Sequence, residues 1–101
     1  MSAEDYAKDL QSEDPEVRLA AAKGLATFGP GAADALPNML ATLKTDSDPK
    51  VRMAVAEAIA LLGASAADIL PDLETLQYTE KNRDVASHII RAIQMIKEDS
   101  R

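Results

Sequence analysis

Asp48-Pro49-Lys50-Val51-Arg52-Met53-Ala54-Val55-Ala56-Glu57-Ala58-Ile59-Ala60-Leu61-Leu62-Gly63 decides the fold, because the same design stands 34 residues earlier. There the chain reads Asp14-Pro15-Glu16-Val17-Arg18-Leu19-Ala20-Ala21-Ala22-Lys23-Gly24-Leu25-Ala26-Thr27-Phe28-Gly29. Extended to full length, residues 12–45 and 46–79 are two copies of one 34-residue unit, identical at 14 positions. Leu36-Pro37 falls on Leu70-Pro71. A period of this size marks a solenoid, in which each unit buries its apolar face only against its neighbours.

Each unit reads as two helices. Asp14 and Asp48 suit the cap position, where the carboxylate accepts from a free backbone N–H, and the following prolines suit the first helical turn. Val17, Ala21, Gly24, Leu25 and Phe28 recur at three- and four-residue spacing, as do Val51, Val55, Ala58, Ile59 and Leu62. Such spacing gathers each set on one core-facing side. Small residues at positions 20, 21, 22 and 24 let a neighbouring helix approach closely. Gly29 and Gly63 stand where a helix ends on a left-handed residue.

The spacing predicts second helices over 33–44 and 67–78, with Pro37 and Pro71 near the first turn. Leu36, Met39, Leu40 and Leu43 give the first of them a clean stripe. In the second, Glu74 replaces Leu40 and Gln77 replaces Leu43, so this helix is expected to be turned or loosely packed, with Glu74 toward water. A third copy starts at Asn82 and carries Val85, Ile89, Ala92, Ile93 and Ile96 at the core spacing. At the other end, Tyr6 and Leu10 belong to a short leading helix. The reading is one domain over 1–101: a half unit (3–11), two full units and a half unit (80–97), about six helices in all. Ile90 and Met95 flank the apolar face of the last helix, where a following helix would cover them.

Composition narrows the function. The formal charge is −6 with one histidine and no cysteine among 101 residues. An acidic chain is a poor match for nucleic acid or an anionic membrane, both of which select clustered Lys and Arg. Absence of cysteine removes disulfides and thiol chemistry and fits a cytoplasmic protein. No apolar run reaches the ~18 residues of a membrane span, and the acidic start lacks the form of a signal peptide.

With the caps, the Val-Arg pairs and the glycines in place, the pattern resembles HEAT repeats, particularly the short form found in bacterial proteins and phycobilisome lyases. The carrying residues are Asp14-Pro15-Glu16-Val17-Arg18 with Ala21, Leu25 and Gly29, and Asp48-Pro49-Lys50-Val51-Arg52 with Val55, Ile59 and Gly63. The resemblance implies an all-α, right-handed α-α superhelix and an Asp–Arg ladder between units. Ala86 stands where Arg18 and Arg52 stand, so the ladder should end at the second copy.

Catalytic material is sparse. His88 lies at the edge of a helix face with no second histidine to complete a site. The His-Glu pairs of HEAT-like iron hydroxylases are absent, as is the basic, aromatic surface that HEAT-like DNA glycosylases need. Asp46-Ser47-Asp48 lacks the glycine and downstream glutamate of a calcium loop; capping and pairing with Arg18 or Arg52 account for it. Lys23, Glu57 and Arg91 repeat on one ridge as an exposed charge row, while Leu19 and Met53 are expected to point outward.

These readings favour a non-enzymatic protein-interaction module without cofactor or metal. The resemblance places the partner along the row of second helices, which offers Asn38, Thr42 and Thr45, then Asp72, Leu76 and Thr79. Few aromatic or Arg anchors stand there, which favours a basic or mixed polar partner protein. A second reading has the chain self-associate as a homodimer through Ile90, Ile93 and Met95 at its open C-terminal helix. A third, from the lyase resemblance, is an accessory role in tetrapyrrole attachment.

Overall fold

The computed structural model describes residues Met1–Arg101 as six α-helices and no strand: α1 (Ala3–Asp9), α2 (Pro15–Thr27), α3 (Leu36–Thr45), α4 (Pro49–Ala60), α5 (Leu70–Thr79) and α6 (Arg83–Asp99). Each first helix begins on its cap. Asp14 accepts the Glu16 N–H and Asp48 the Lys50 N–H, both at 2.9 Å. Asn82 accepts from Asp84 and Val85, and Ser2 forms a reciprocal capping box with Asp5. These bonds satisfy donors that the helix itself leaves free.

Gly29 and Gly63 end α2 and α4 at φ of +52° and +56°, the left-handed backbone that L side chains resist. Single 3-10 segments, Gly29–Ala35 and Gly63–Ile69, follow them. Hence α3 and α5 begin about three residues later than the spacing predicts, at Leu36 and Leu70. The reason is the proline. A helix starting at Ala33 would need an N–H from residue 37 to bond the Ala33 carbonyl, and Pro37 has none.

The layers follow from side-chain size. α2, α4 and α6 stack in sequence, while α1, α3 and α5 each pack on the first helix that follows them. One cluster of buried apolar residues runs through all units, with Leu25, Val55, Ile59, Leu73, Val85 and Ile89 among its fully enclosed members. Ala22 of α2 and Ala56 of α4, equivalent in the repeat, are both 0% exposed, so the stacked helices approach over methyl groups alone. The equivalent residue of α6 is Ile90, and it is 41% exposed. No single helix is long and apolar enough to cross a membrane.

Three side chains depart from the sequence expectation. Phe28 is exposed, and its ring meets Tyr6 edge-on at 6.1 Å. Leu19 and Met53 do not point away from the core but are half-buried against it.

Gly24 lets α1 dock. A β-carbon there would lie 2.6 Å from Tyr6 Cε1 and Cε2, well inside contact distance. Alanine occupies the equivalent positions 58 and 92, where no tyrosine crosses. Gly24→Ala should therefore destabilise the chain by about 1–2 kcal/mol through overpacking, despite the ~1 kcal/mol that alanine gains in helix propensity. Hydrogen exchange should show α1 amides losing protection while α4 keeps its own. A raised melting temperature would mean that the Tyr6 ring yields freely.

Candidate protein-interaction surface

The second-helix row is less uniform than the repeat suggests. Asp72 of α5 reaches Lys44 of α3 at 3.2 Å, an exposed ion pair across the row. Next to it, Leu43, Lys44, Leu76, Thr79, Glu80 and Lys81 line a groove of about 230 Å³ between the C-terminal ends of α3 and α5. Asp72, Leu76 and Thr79 thus come together with Lys44. Asn38 lies apart, in a second groove of about 440 Å³ between α1 and the start of α3. Thr45 is exposed, with its hydroxyl donating to the Ala41 carbonyl.

Thr42 is removed from the row. It is buried, and its hydroxyl donates to the Asn38 carbonyl at 2.9 Å. A threonine can enter a helical core this way because the preceding turn satisfies its polar atom. Its counterpart Leu76 is only half-buried. Glu74 faces water, with one oxygen 3.8 Å from Lys97 Nζ, as a lone carboxylate requires. The residue that sequence reasoning missed is Tyr78, 84% exposed on α5. Its repeat counterpart is Lys44, and that exchange of a cation for an aromatic was the available signal.

At the C-terminal end, Met95 is half-buried and Ile93 is buried at 7%. Ile93 belongs to the core stripe with Ile89 and Ile96 and offers nothing to a second chain. Ile90 alone presents a large apolar face there. His88 directs Nδ1 at the Asp84 carbonyl, 2.8 Å away within its own helix. No ion pair joins Lys23, Glu57 and Arg91, and no cluster of acidic and histidine side chains is arranged to hold a metal ion.

Charge enters the fold at the unit junctions. Arg18 Nε donates to Asp46 at 2.7 Å, and Arg52 holds Glu80 with two bonds of 2.9 and 3.1 Å. Each arginine also binds backbone carbonyls of the turn before its own helix, Ser12 and Glu13 for Arg18 and Asp46 for Arg52. Each anion serves twice as well: Asp46 accepts the Asp48 N–H and Glu80 the Asn82 N–H. The ladder thus ties each cap to the arginine of the preceding unit, and it stops at Ala86.

A family model described as HEAT repeats matches residues 7–94. The chain belongs to the HEAT-repeat family. No curated protein and no solved structure matches it. HEAT repeats generally mediate protein–protein interaction, and the all-α solenoid here is of that kind. In this HEAT array the two rungs join α2 to the turn before α4, and α4 to the turn before α6.

The second rung makes the array sensitive to acid. Burial pushes the Glu80 carboxyl up, but the Arg52 hydrogen bond, the Asn82 N–H and the Arg52 charge outweigh it and hold the carboxyl below its ordinary 4.5. A depressed carboxylate contributes stability that is complete above its unfolded pKa and disappears as pH falls through the folded one. Glu80→Gln should therefore melt below wild type at neutral pH, and the gap should close as pH drops below about 4.5. A gap independent of pH would show that the Glu80 charge adds nothing.

Proposed function

We propose that this HEAT array is a non-enzymatic protein-binding module that engages its partner through the second-helix layer, at the groove between α3 and α5. The observation that carries the reading is Tyr78, a large aromatic 84% exposed one residue before the groove-lining Thr79. Fully exposed aromatics of this kind supply contact area at small entropic cost and are enriched among binding hot spots. Leu43 and Leu76 give the groove an apolar base, and the Lys44–Asp72 pair and Glu80 give it a mixed polar rim. A partner segment of basic or mixed polar character with an apolar anchor suits that lining.

The immobilised chain tests this by capture from cells of its source. Proteins held by wild type should fall about tenfold with Tyr78→Ala or Thr79→Arg, the loss expected for ~1.4 kcal/mol at a contact residue. Both positions are exposed, so the variants should keep wild-type helical circular dichroism. Undiminished capture by both variants would remove the groove from the interaction.

A further inference from the structure

The layer of first helices carries a trough of its own. Leu19, Lys23, Lys50 and Met53 line a groove of about 230 Å³ along α2 and α4, which His88 of α6 closes. A second groove, of about 80 Å³, lies between α4 and α6 among Leu61, Arg91 and Met95. Glu57 and His88 line both, so the two are continuous, and no residue of α1, α3 or α5 contributes. The trough thus belongs to the other layer from the α3–α5 groove. Its floor is apolar: Leu19, Met53 and Met95 are half-buried and Leu61 is 40% exposed. Its rim is cationic in a chain that is otherwise acidic. Lys23, Lys50 and Arg91 stand there against Glu57 alone, whereas the whole chain sets 17 acidic residues against 11 lysines and arginines. Glu16 and Asp84, the repeat counterparts of Lys50, line neither groove. All three cations are exposed, and none belongs to any ion pair of the chain. Nothing in the fold needs their charge.

We propose that this trough docks an acidic amphipathic helix of a partner protein. Charge selects the sign, because an incoming carboxylate meets Lys23, Lys50 or Arg91 with no internal pair to break. Backbone chemistry selects the shape. The walls are helices, whose N–H and C=O groups are already bonded, so an extended segment finds no edge to pair with; a helix docks by its side chains alone. Met53 and Met95 suit such an occupant, since unbranched thioether side chains repack around an apolar anchor. His88 Nδ1 donates to the Asp84 carbonyl at 2.8 Å, which holds the ring where the two grooves meet and leaves Nε2 for the ligand. Three cations around a concave apolar floor match a helix with a few carboxylates. An anionic lipid surface rewards a denser basic cluster. The α3–α5 groove suits a basic or mixed segment, so the two layers select partners of opposite charge.

A displayed library of helical peptides of about 15 residues, with leucine fixed on one face and Glu or Lys free on the other, tests this against the immobilised chain. Selection should enrich Glu over Lys, and the recovered peptide should bind less tightly as salt rises. Lys23→Glu and Arg91→Glu should each weaken it about tenfold, and Glu57→Gln should strengthen it about threefold. That gain is one a merely structural residue would not give. Leu61→Ala should weaken it about threefold by removing part of the floor. All four positions are exposed, so circular dichroism should stay at wild type. No binder, Lys-rich binders alone, or Glu-rich binders indifferent to both charge reversals overturn the proposal. Vesicles containing phosphatidylserine that hold wild type but not Arg91→Glu would make the trough a membrane contact and overturn it too. Tyr78→Ala should leave the Glu-rich peptide bound, so failure of either surface leaves the other standing.

Discussion

Ala56→Glu should abolish the cooperative unfolding transition, whereas Ile90→Glu, the same substitution one repeat later, should shift stability by no more than about 0.5 kcal/mol. Ala56 is 0% exposed where α4 receives α6, and Ile90 is 41% exposed on α6. A glutamate at 56 adds four heavy atoms beyond the methyl group in a contact built for methyl groups, which costs about 1–3 kcal/mol in overpacking. Its carboxylate would also be buried without a cation, at a cost of several kcal/mol more. A domain of this size is stable by only about 5–15 kcal/mol. In a solenoid the loss also spreads, because α6 that cannot seat on α4 no longer supports α5. Far-UV circular dichroism during heating and in urea would separate the two variants. Comparable melts would mean that α4 and α6 are not stacked through this face.

What was legible in the sequence was whatever the backbone decides locally. Asp14, Asp48, Asn82, Gly29 and Gly63 sit at helix ends because caps and left-handed residues are chosen by the geometry of a few neighbouring peptide groups. The 3-10 segments were harder to see, since Gly-Ala-Ser-Ala-Ala-Asp-Ile at 63–69 suits a helix well in composition. Only the missing N–H of Pro71 delays the α-helix. Thr42 was misassigned for a related reason. Its residue type reads as surface, but a turn that accepts its hydroxyl makes it compatible with the core.

Properties set by neighbours distant in sequence were the least legible. Phe28 matches Leu62 in the repeat, yet one is exposed and the other enclosed, because enclosure is set by the helices packed against each position and not by the residue's place in the repeat. The first rung of the ladder could be inferred from Asp46, which sits beside a cap residue. The second could not be named, since Glu80 replaces the aspartate and the third copy diverges around it. Tyr78 shows the limit most plainly. Periodicity places it on α5 at the repeat position of Lys44, which is exposed too, but an aromatic residue type reads as core.

Arg52→Ala should cost about 3–5 kcal/mol, the range for removing one partner of a buried ion pair. The Arg52 and Glu80 side chains are 15% and 10% exposed. The guanidinium makes two bonds to the carboxylate and a third, of 2.7 Å, to the Asp46 carbonyl. Alanine leaves all three acceptors without that donor, and Glu80 keeps its charge in a place where water reaches it poorly. Lysine at 52 should recover only part of the loss, because an ammonium cannot span both oxygens and the carbonyl in the plane of the fork. Removing both charges differs from removing one. Arg52→Met with Glu80→Met should return to within about 1–2 kcal/mol of wild type, since replacing a buried pair by apolar side chains is often neutral. Lys44→Ala gives the contrast. Lys44 and Asp72 are each more than 40% exposed, and breaking such a pair costs about 0–1 kcal/mol. Urea unfolding of this set, read as a double-mutant cycle, measures the coupling between Arg52 and Glu80 directly. If Arg52→Ala cost no more than Lys44→Ala, the rung would be a surface contact, and the seating of α6 on α4 would depend on apolar packing alone.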